Sequence, residues 1–366
     1  MEKQRDPKNR WIGGVEPASE LRDLGMTSIY EMECREQPER LAWLFRAYEN
    51  DSAIRDELGT LREMSRSSGP ILLIGMGASY CSCVTGASYL QSCGRPSFAL
   101  EASEWLHYTA NREQSALSLL VTASGESAEL VRLCRDGAHG PLALLCNNEE
   151  STCWSLVQNK LPILAGPEYG NATKTYTNAT AACIVLASHI LGRHWLDQAP
   201  QTLDSYSRSL NAAFRQREKM EEFCRGASNI EIVGRGPAYG GAIMGALCIR
   251  EMTGQRAAPH SGGGFRHGPL LDVNETHVAI ILALGRTAAL GVALAQDCLA
   301  RGGRVILVGS EEHPPRERLL SINIDAVPEP WEGITSVLVP QALTLAIAER
   351  FGARLSPRFQ YGEMKE

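Results

Sequence analysis

The sequence predicts an α/β protein built from two similar halves, each a parallel sheet with helices on both faces. Short apolar segments such as ILLIG at 71–75 alternate with longer stretches of helical character, which is typical of parallel βαβ units. Two glycine turns match each other, because GMGASY at 75–80 and GRGPAY at 234–239 each follow an apolar segment and open a helix. We therefore expect two copies of one βαβ-type domain that meet across a shared cleft.

A helical segment is predicted before the first sheet. Residues 1–25 are expected to form a loosely packed tail, and residues 26–68 contain EMECREQPERLAWLFRAY. Within that stretch, an apolar stripe at Leu41, Leu44 and Phe45 predicts an amphipathic helix.

The first domain is predicted at 69–198. A strand, a glycine turn and a helix start are expected in PILLIGMGASY, and the same order is expected in ALSLLVTASGESAELVRLC. Two short apolar strands follow in PLALLCNN and LPILAG, and the helix TKTYTNATAACIVLASHILG closes this half. The linker to the second half is expected near Pro200, which stands between two helical patterns.

The second domain is predicted at 203–345. It repeats the strand, glycine turn and helix in NIEIVGRGPAYGGAIMGALCIREMTG, and further strands are expected in THVAIILAL, RVILVGS and INIDAVPE. A last helix is predicted over about 331–351. Residues 346–366 are expected to form a tail that closes over the functional site.

Composition excludes several classes of function. The net charge of −6 gives no basic surface for nucleic acid, and no run of about 18 apolar residues indicates a membrane span. The N-terminus lacks an apolar signal segment, so we expect a cytoplasmic protein whose 11 cysteines are mostly reduced thiols. Those cysteines show no paired CxxC spacing, so no zinc or other metal site is expected.

Hydroxyl side chains cluster in the turn after one predicted strand. Thr122, Ser124 and Ser127 stand where a strand ends and a helix begins, and Ser79 stands in the neighbouring turn. Hydroxyls and free backbone N–H groups at a helix N-terminus can bind phosphate, although the same residues also serve as ordinary helix caps. No lysine accompanies them, and Tyr80 replaces the third glycine of a dinucleotide fingerprint, so neither nucleotide hydrolysis nor a nicotinamide cofactor is favoured. The equivalent turn of the second half, ALGRTA, is poor in hydroxyls, so one phosphate site is expected per chain.

An acid and a histidine flank a glycine run in the second half. Glu251 ends the predicted helix after GRGPAY, and His267 follows the glycines at 262–264. Glycine allows a loop to approach another surface closely, so we expect this loop to deliver His267 into a cleft that is not its own. An acid together with an imidazole is the minimum set for moving protons on and off a sugar.

These motifs together resemble the SIS (sugar isomerase) family, in particular the isomerase half of glucosamine-6-phosphate synthase. The resemblance covers about residue 26 to the C-terminus and is carried by REQPERL, GMGASY, TASGES, NATKTYT, GRGPAY and FRHGPLLDV. It implies two tandem SIS domains of flavodoxin-like, three-layer architecture, an open-chain sugar phosphate as substrate and no cofactor. It also implies a homodimer, because the histidine at this position comes from the neighbouring subunit.

The resemblance assigns roles to individual residues. Glu251 would shuttle a proton between sugar carbons 1 and 2, and His267 would assist ring opening. The phosphate would bind to Ser79, Thr122, Ser124 and Ser127. Further contacts with the substrate are expected from Gly77, Ala78, Thr173, Lys174 and Arg235.

The sequence departs from the synthase at several positions. Cys248 stands where the synthase has a lysine three residues before the catalytic glutamate, and the Schiff-base lysine falls near Gly362, with Lys365 close by. Gly264 replaces an acid, and no glutaminase domain is expected before the SIS halves. These changes favour relatives that break a C–N bond, namely phosphosugar–amino acid deglycases, which are similar in carrying HSG in the loop, and amino-sugar phosphate deaminases.

Two other functions stay open from the sequence. One is a synthase-like isomerase without a glutaminase domain, and the other is a sugar-phosphate sensor without catalysis.

Some side chains also have two interpretations. Thr173 and Lys174 could cover the substrate or cap a helix, whereas Arg235 and Arg266 could bind a substrate carboxylate or be surface charges. Arg358 and Tyr361 could close over the sugar.

Overall fold

The computed structural model describes residues 28–109, 115–136, 140–314 and 316–351. The predicted tail at 1–25 and positions 352–366 of the C-terminal tail lie outside these residues. Those positions include Arg358, Tyr361, Gly362 and Lys365.

The first half begins with two helices and continues as an alternation of strands and helices. Its elements are, in chain order, α1 (Ile29–Asn50), α2 (Ser52–Met64), β1 (Ile71–Gly75), α3 (Ala78–Ser92), β2 (Ser97–Glu101), α4 (Ala102–Tyr108), β3 (Leu117–Thr122), α5 (Ala128–Asp136), β4 (Leu142–Cys146), α6 (Thr152–Leu156), β5 (Asn159–Pro162) and α7 (Lys174–Leu191).

The second half is also introduced by two helices. Its elements are α8 (Ala199–Arg215), α9 (Arg217–Cys224), β6 (Asn229–Gly234), α10 (Ala238–Thr253), β7 (Ala257–Ser261), α11 (Gly262–Arg266), β8 (His277–Leu282), α12 (Ala288–Ala300), β9 (Arg304–Gly309), β10 (Leu319–Asn323), α13 (Glu332–Thr335) and α14 (Leu338–Arg350), with 3₁₀ turns at Pro269–Asp272 and Gly285–Thr287.

Each half contains one five-stranded parallel sheet, which confirms the predicted fold class. The strand orders are β2-β1-β3-β4-β5 and β10-β9-β8-β6-β7. The central strands are fully buried, as their continuous apolar sequences predict for a sheet covered on both faces. In both halves the first strand pairs with the second and third strands of that half, so the two sheets share one topology.

The sequence analysis did not identify β2 and β7. Both are edge strands, and their residues are only partly buried. An edge strand needs no continuous apolar run, and it tolerates a proline such as Pro259 in β7. The long helix predicted at about 331–351 is instead two helices, α13 and α14, separated near Val337.

The N-terminal helix forms as predicted. Ser28 caps α1 by accepting a hydrogen bond from the Glu31 backbone N–H at 3.1 Å, and the predicted stripe of Leu41, Leu44 and Phe45 is buried. No helix within the described ranges is long and apolar enough to cross a bilayer. All 11 cysteines are free thiols, and ten of them are buried.

The two halves are joined through α3 and α10, the helices that follow the matching glycine turns. A side chain at Gly236 would approach Ser88, and one at Gly240 would collide with Thr85, so the α10 backbone lies directly on α3. Further along α10, Cys248 shares a cluster with Cys81, so the contacts move toward the beginning of α3 as α10 proceeds. The two helices therefore run antiparallel, and the C-terminal end of α10 lies beside the N-terminal end of α3.

Candidate functional site

The hydroxyl-rich turns meet at the point where the first sheet reverses its strand order. The strands β1 and β3 are neighbours, with Ile74 paired to Leu120, yet their following helices lead in opposite directions. Ligands of open parallel sheets bind at this point, outside the carboxyl ends of the strands. The structure therefore brings Ser79, in the first turn of α3, to the same carboxyl end of the sheet as the turn at 122–127.

The turn at 122–127 is internally hydrogen-bonded. The backbone N–H of Gly125 donates to Thr122 Oγ1 at 3.0 Å, and that of Glu126 donates to Ser124 Oγ at 3.2 Å. Both hydroxyls act as acceptors here, so their own protons are free to be donated to a ligand. Gly125 has a φ of +69°, and a side chain there would collide with Ser151.

The one acid of this turn is directed away from the phosphate position. Glu126 Oε1 accepts a hydrogen bond from the backbone N–H of Thr152, at the start of α6, at 2.7 Å. Ser127 precedes α5 and accepts the Val131 N–H through its backbone oxygen. The turn thus combines hydroxyl donors with the N-terminal end of α5, and its own carboxylate does not compete for it.

Glu251 lies in the last turn of α10, next to the beginning of α3. Ala78 of α3 packs in one small cluster with Ala172, Leu247 and Cys248, and the last two of these lie one helical turn before Glu251. Asn171 Nδ2 donates a hydrogen bond to Glu251 Oε2 at 2.9 Å, and partial burial raises the pKa of Glu251. The structure thus places the predicted acid at the end of α10 that packs against the beginning of α3, the helix that carries Ser79.

His267 lies elsewhere in the same chain. The glycine run was predicted to be a loop, but Gly262–Arg266 forms the short helix α11, which Ser261 caps by accepting the Gly264 N–H at 3.1 Å. The side chain of His267 is exposed at the end of this helix. Gly262 is needed for close packing, because a side chain there would collide with the guanidinium of Arg235.

Glu251 and His267 are at opposite ends of β7 in the second sheet. The helix α10 returns from the carboxyl end of β6 to the amino end of β7, where Glu251 lies. The five residues of β7 then run from the amino end to the carboxyl end of the strand, about 17 Å, and α11 and His267 follow. One chain therefore does not bring these two residues together, and Arg235 lies on the His267 side.

Thr173 and Lys174 are buried at the start of α7. Thr173 Oγ1 donates to Glu168 Oε1 at 2.8 Å, and Lys174 Nζ forms an ion pair with Glu36 at 2.5 Å. Both side chains therefore have protein partners close to Asn171. Arg266 forms an ion pair with Asp297, which agrees with its interpretation as a surface charge.

Three polar residues around Glu251 and its partner segment were missed by the sequence analysis. They are Asn171, which bonds to Glu251, and Glu33 and Glu168, which accept hydrogen bonds from the segment that carries Asn171. Asn171 belongs to NATKTYT, but nothing in that motif indicated a contact with a residue 80 positions later. Within the described ranges, no group of three or more histidine, cysteine or acidic side chains is arranged to hold a metal ion.

The Glu33 carboxyl is fully buried under the segment that carries Asn171. Its Oε1 accepts the backbone N–H of Tyr169 at 2.6 Å, and Oε2 has no partner among the described residues. Burial, and then the nearby Glu168, raise the pKa of Glu33 to about 8. This carboxyl therefore carries a proton in the folded protein at neutral pH.

Replacing Glu33 with glutamine should remove a pH-dependent loss of stability. The folded protein retains the Glu33 proton up to about pH 8, whereas the unfolded chain loses it above about pH 4.5, so the free energy of unfolding falls across that interval. Urea unfolding between pH 5 and pH 9 should show the variant becoming more stable relative to wild type as the pH rises. Glu332, whose pKa is also raised by burial, to about 7, is common to both proteins and cancels in the difference. A constant difference at all pH values would contradict this prediction.

Comparison with known proteins gives two matches to the family model described as SIS domain, at residues 64–189 and 224–348. The chain is 28% identical over 300 residues to glutamine–fructose-6-phosphate aminotransferase [isomerizing] from Zymomonas mobilis, covering 77% of this chain and 49% of that protein. The chain thus spans about half the length of this curated relative.

Solved structures show the same fold. The C-terminal domain of glucosamine-fructose-6-phosphate aminotransferase from Francisella tularensis superposes with a TM-score of 0.80 at 21% identity, covering 94% of this chain and all of that chain. Glucosamine-6-phosphate deaminase from Thermotoga maritima superposes with a TM-score of 0.72 at 17% identity, covering 90% of this chain and 98% of that chain.

Proposed function

Because this chain belongs to the SIS domain family, we propose that it is a phosphosugar enzyme that transfers a proton between neighbouring sugar carbons and then cleaves a C–N bond. The observation that carries the proposal is the position of Glu251. This half-buried carboxyl lies in the last turn of α10, which packs against the N-terminal end of α3, and α3 begins at the same carboxyl end of the first sheet as the hydroxyl-rich turn at 122–127. A phosphate bound at that turn would hold an open-chain sugar against Glu251.

The chemistry follows from a carboxyl with a raised pKa. Glu251 removes a proton from one sugar carbon to give an enaminol, and returns a proton to the neighbouring carbon. The carbon that carries nitrogen then becomes an imine, and water hydrolyses the imine to a carbonyl and a free amine. Each general acid–base step of this kind contributes about 10²–10⁴ in rate. The desolvation that raises the pKa of Glu251 brings it closer to the pH at which it must exchange protons.

Deglycation or deamination is favoured over the synthase-like isomerase reaction. Cys248 stands at the position of the synthase lysine, where it is fully buried, and burial followed by the charge of Glu251 raises the pKa of its thiol to about 12. A protonated thiol supplies no positive charge to the sugar. The isomerase reaction named for the Zymomonas mobilis relative is therefore the second candidate.

The proposed reaction requires a homodimer. Because Glu251 and His267 lie at opposite ends of β7, the histidine that opens the sugar ring would come from the partner subunit. Arg235, packed on Gly262 of α11, would accompany it. In a deglycase, this guanidinium would bind the carboxylate of the amino acid that is released.

The proposed function is tested by product release. The purified protein would be incubated with glucosamine 6-phosphate and, separately, with 6-phosphofructosyl–amino acids. Ammonia release identifies a deaminase and free amino acid identifies a deglycase. Thermal stabilisation by both compounds without release of either product would contradict C–N cleavage and favour a sensor.

Replacing Thr122 with valine should weaken substrate binding much more than it slows chemistry. The change keeps the shape of the side chain but removes both a hydroxyl donor to the phosphate and the acceptor for the Gly125 N–H, which should raise KM about tenfold. Steady-state kinetics would separate KM from kcat. The control is Ser155→Ala, because Ser155 is exposed on α6 and bonds only to the Thr152 carbonyl within the described residues. Equal KM values for wild type and T122V would argue against a phosphate at this turn.

A further inference from the structure

Asn171 joins the two halves at the candidate site. It lies in the segment before α7, and its Nδ2 donates to Glu251 Oε2, at the end of α10, at 2.9 Å. The orientation of the amide is fixed by chemistry, because only its Nδ2 can face a carboxylate. Asn171 is 4% exposed, and its Oδ1 is buried without a partner among the described residues.

The arrangement of Asn171 is not one that favours stability. A buried acceptor without a partner destabilises the folded protein, whereas an apolar side chain of similar shape would leave no such group. Residues that break this rule without compensation occur mainly at functional sites. The one hydrogen bond that the amide makes within the described residues is the bond to Glu251.

The segment that carries Asn171 is fixed on both sides. On one side, the Tyr169 N–H donates to the buried Glu33 at 2.6 Å. On the other, the Thr173 N–H and Oγ1 both donate to Glu168 Oε1, at 2.9 and 2.8 Å. These bonds hold the amide in place before any substrate binds, which is the condition for an effective positioning contact.

We propose that Asn171 is the positioning residue for Glu251, holding Oε2 so that Oε1 alone carries the proton between the two sugar carbons. This inference rests on the proposed function. The two carbons are joined by a single bond, so one oxygen held in a fixed plane can reach both of them. A carboxyl that rotates freely would spend part of its time with neither oxygen aligned.

The hydrogen bond also adjusts the acidity of Glu251. A donor to the ionised carboxylate lowers its pKa, which opposes the increase caused by burial. The titratable neighbours of Glu251 are Cys248 on the same helix and Cys81 on α3, and Cys248 in turn lies near Tyr30 of α1 and Glu168 of the Asn171 segment. Burial raises the pKa of Cys248, Cys81 and Tyr30, so these three groups add no charge near neutral pH. Loss of the Asn171 donor should therefore raise the pKa of Glu251.

Two variants test the proposal. Asn171→Leu keeps the size of the side chain and removes both polar atoms, whereas Asn171→Asp keeps the shape and places a second carboxyl beside Glu251. Both should reduce kcat by about ten- to a hundredfold and shift the acidic limb of the pH–rate profile to higher pH, with the larger shift in N171D. The thermal stability of N171L should equal or exceed that of wild type. Asn274→Ala, in the turn before β8, is the control and should change neither kcat nor the acidic limb, although it removes hydrogen bonds to Asp272 and Thr276.

The pKa of Glu251 should also be measured without turnover. Carboxyl ¹³C NMR titration would assign Glu251 by the signal that disappears in Glu251→Gln, and the assigned pKa should be higher in N171L than in wild type. An unchanged pKa and an unchanged acidic limb would overturn the positioning role, even if wild type is active. A kcat loss matched by a loss of thermal stability would also overturn it. A higher Glu251 pKa in N171L than in wild type, together with a wild type that turns over no phosphosugar, would confirm the contact and refute the proposed function instead.

Discussion

Replacing Glu251 with glutamine is expected to abolish phosphosugar turnover while leaving substrate binding within a fewfold of wild type. Glutamine has the size of glutamate and can still interact with Asn171, but it cannot take or return a proton. Loss of one acid–base group should reduce kcat by at least about 10²-fold. The phosphate turn at 122–127 is untouched, so calorimetric titration with a phosphosugar should give a similar Kd.

The matched control for Glu251→Gln is Glu222→Gln, because Glu222 is an exposed glutamate on α9. It should retain wild-type kcat and KM. Comparable turnover by wild type and E251Q would remove Glu251 from the mechanism. Loss of binding together with turnover would mean that this carboxyl holds the sugar and does not transfer its proton.

Mixed dimers should recover activity that each parent variant lacks. His267→Ala and Glu251→Gln homodimers are both expected to be nearly inactive, since each site lacks one essential group. If His267 crosses to the partner, a dimer of one H267A chain and one E251Q chain contains one site with both changes and one intact site. Purified mixed dimers should then have about half the wild-type activity.

The control for this experiment is a dimer of two differently tagged E251Q chains, which should stay inactive. Mixed dimers as inactive as their parents would contradict the shared site. The physical reason to expect recovery is the path of the chain from α10 through β7. This path separates Glu251 from His267 by the length of the strand β7.

The fold could be predicted because its signals are local. The buried strands β1, β3, β6 and β8 are short apolar runs followed by glycine or hydroxyl turns, so each can be identified without its neighbours. The edge strand β7 contains a proline and few large apolar residues, and its strand conformation depends on pairing with β6. The close packing of Gly262 against Arg235 was likewise not revealed by the local sequence.

The candidate site could be predicted only in part. Hydroxyls after β3 and an acid at the end of a helix are visible as short motifs, and the structure packs the end of α10 that carries this acid against the beginning of α3. Asn171 and Glu33 were missed because their contacts depend on how the two halves and the N-terminal helix pack together. The separation of His267 from Glu251 within one chain also became evident only from the direction of α10.

Deuterium exchange tests the central claim most directly. Wild type and E251Q would be incubated in D₂O with glucosamine 6-phosphate and with a 6-phosphofructosyl–amino acid, and deuterium at sugar carbons 1 and 2 would be followed by NMR. A carboxyl that takes and returns a proton exchanges it with solvent, so wild type should introduce deuterium at one of these carbons and E251Q should not. Unlabelled sugar phosphates after prolonged incubation with wild type, or equal labelling by both proteins, would contradict the assignment of Glu251 as the group that transfers the proton.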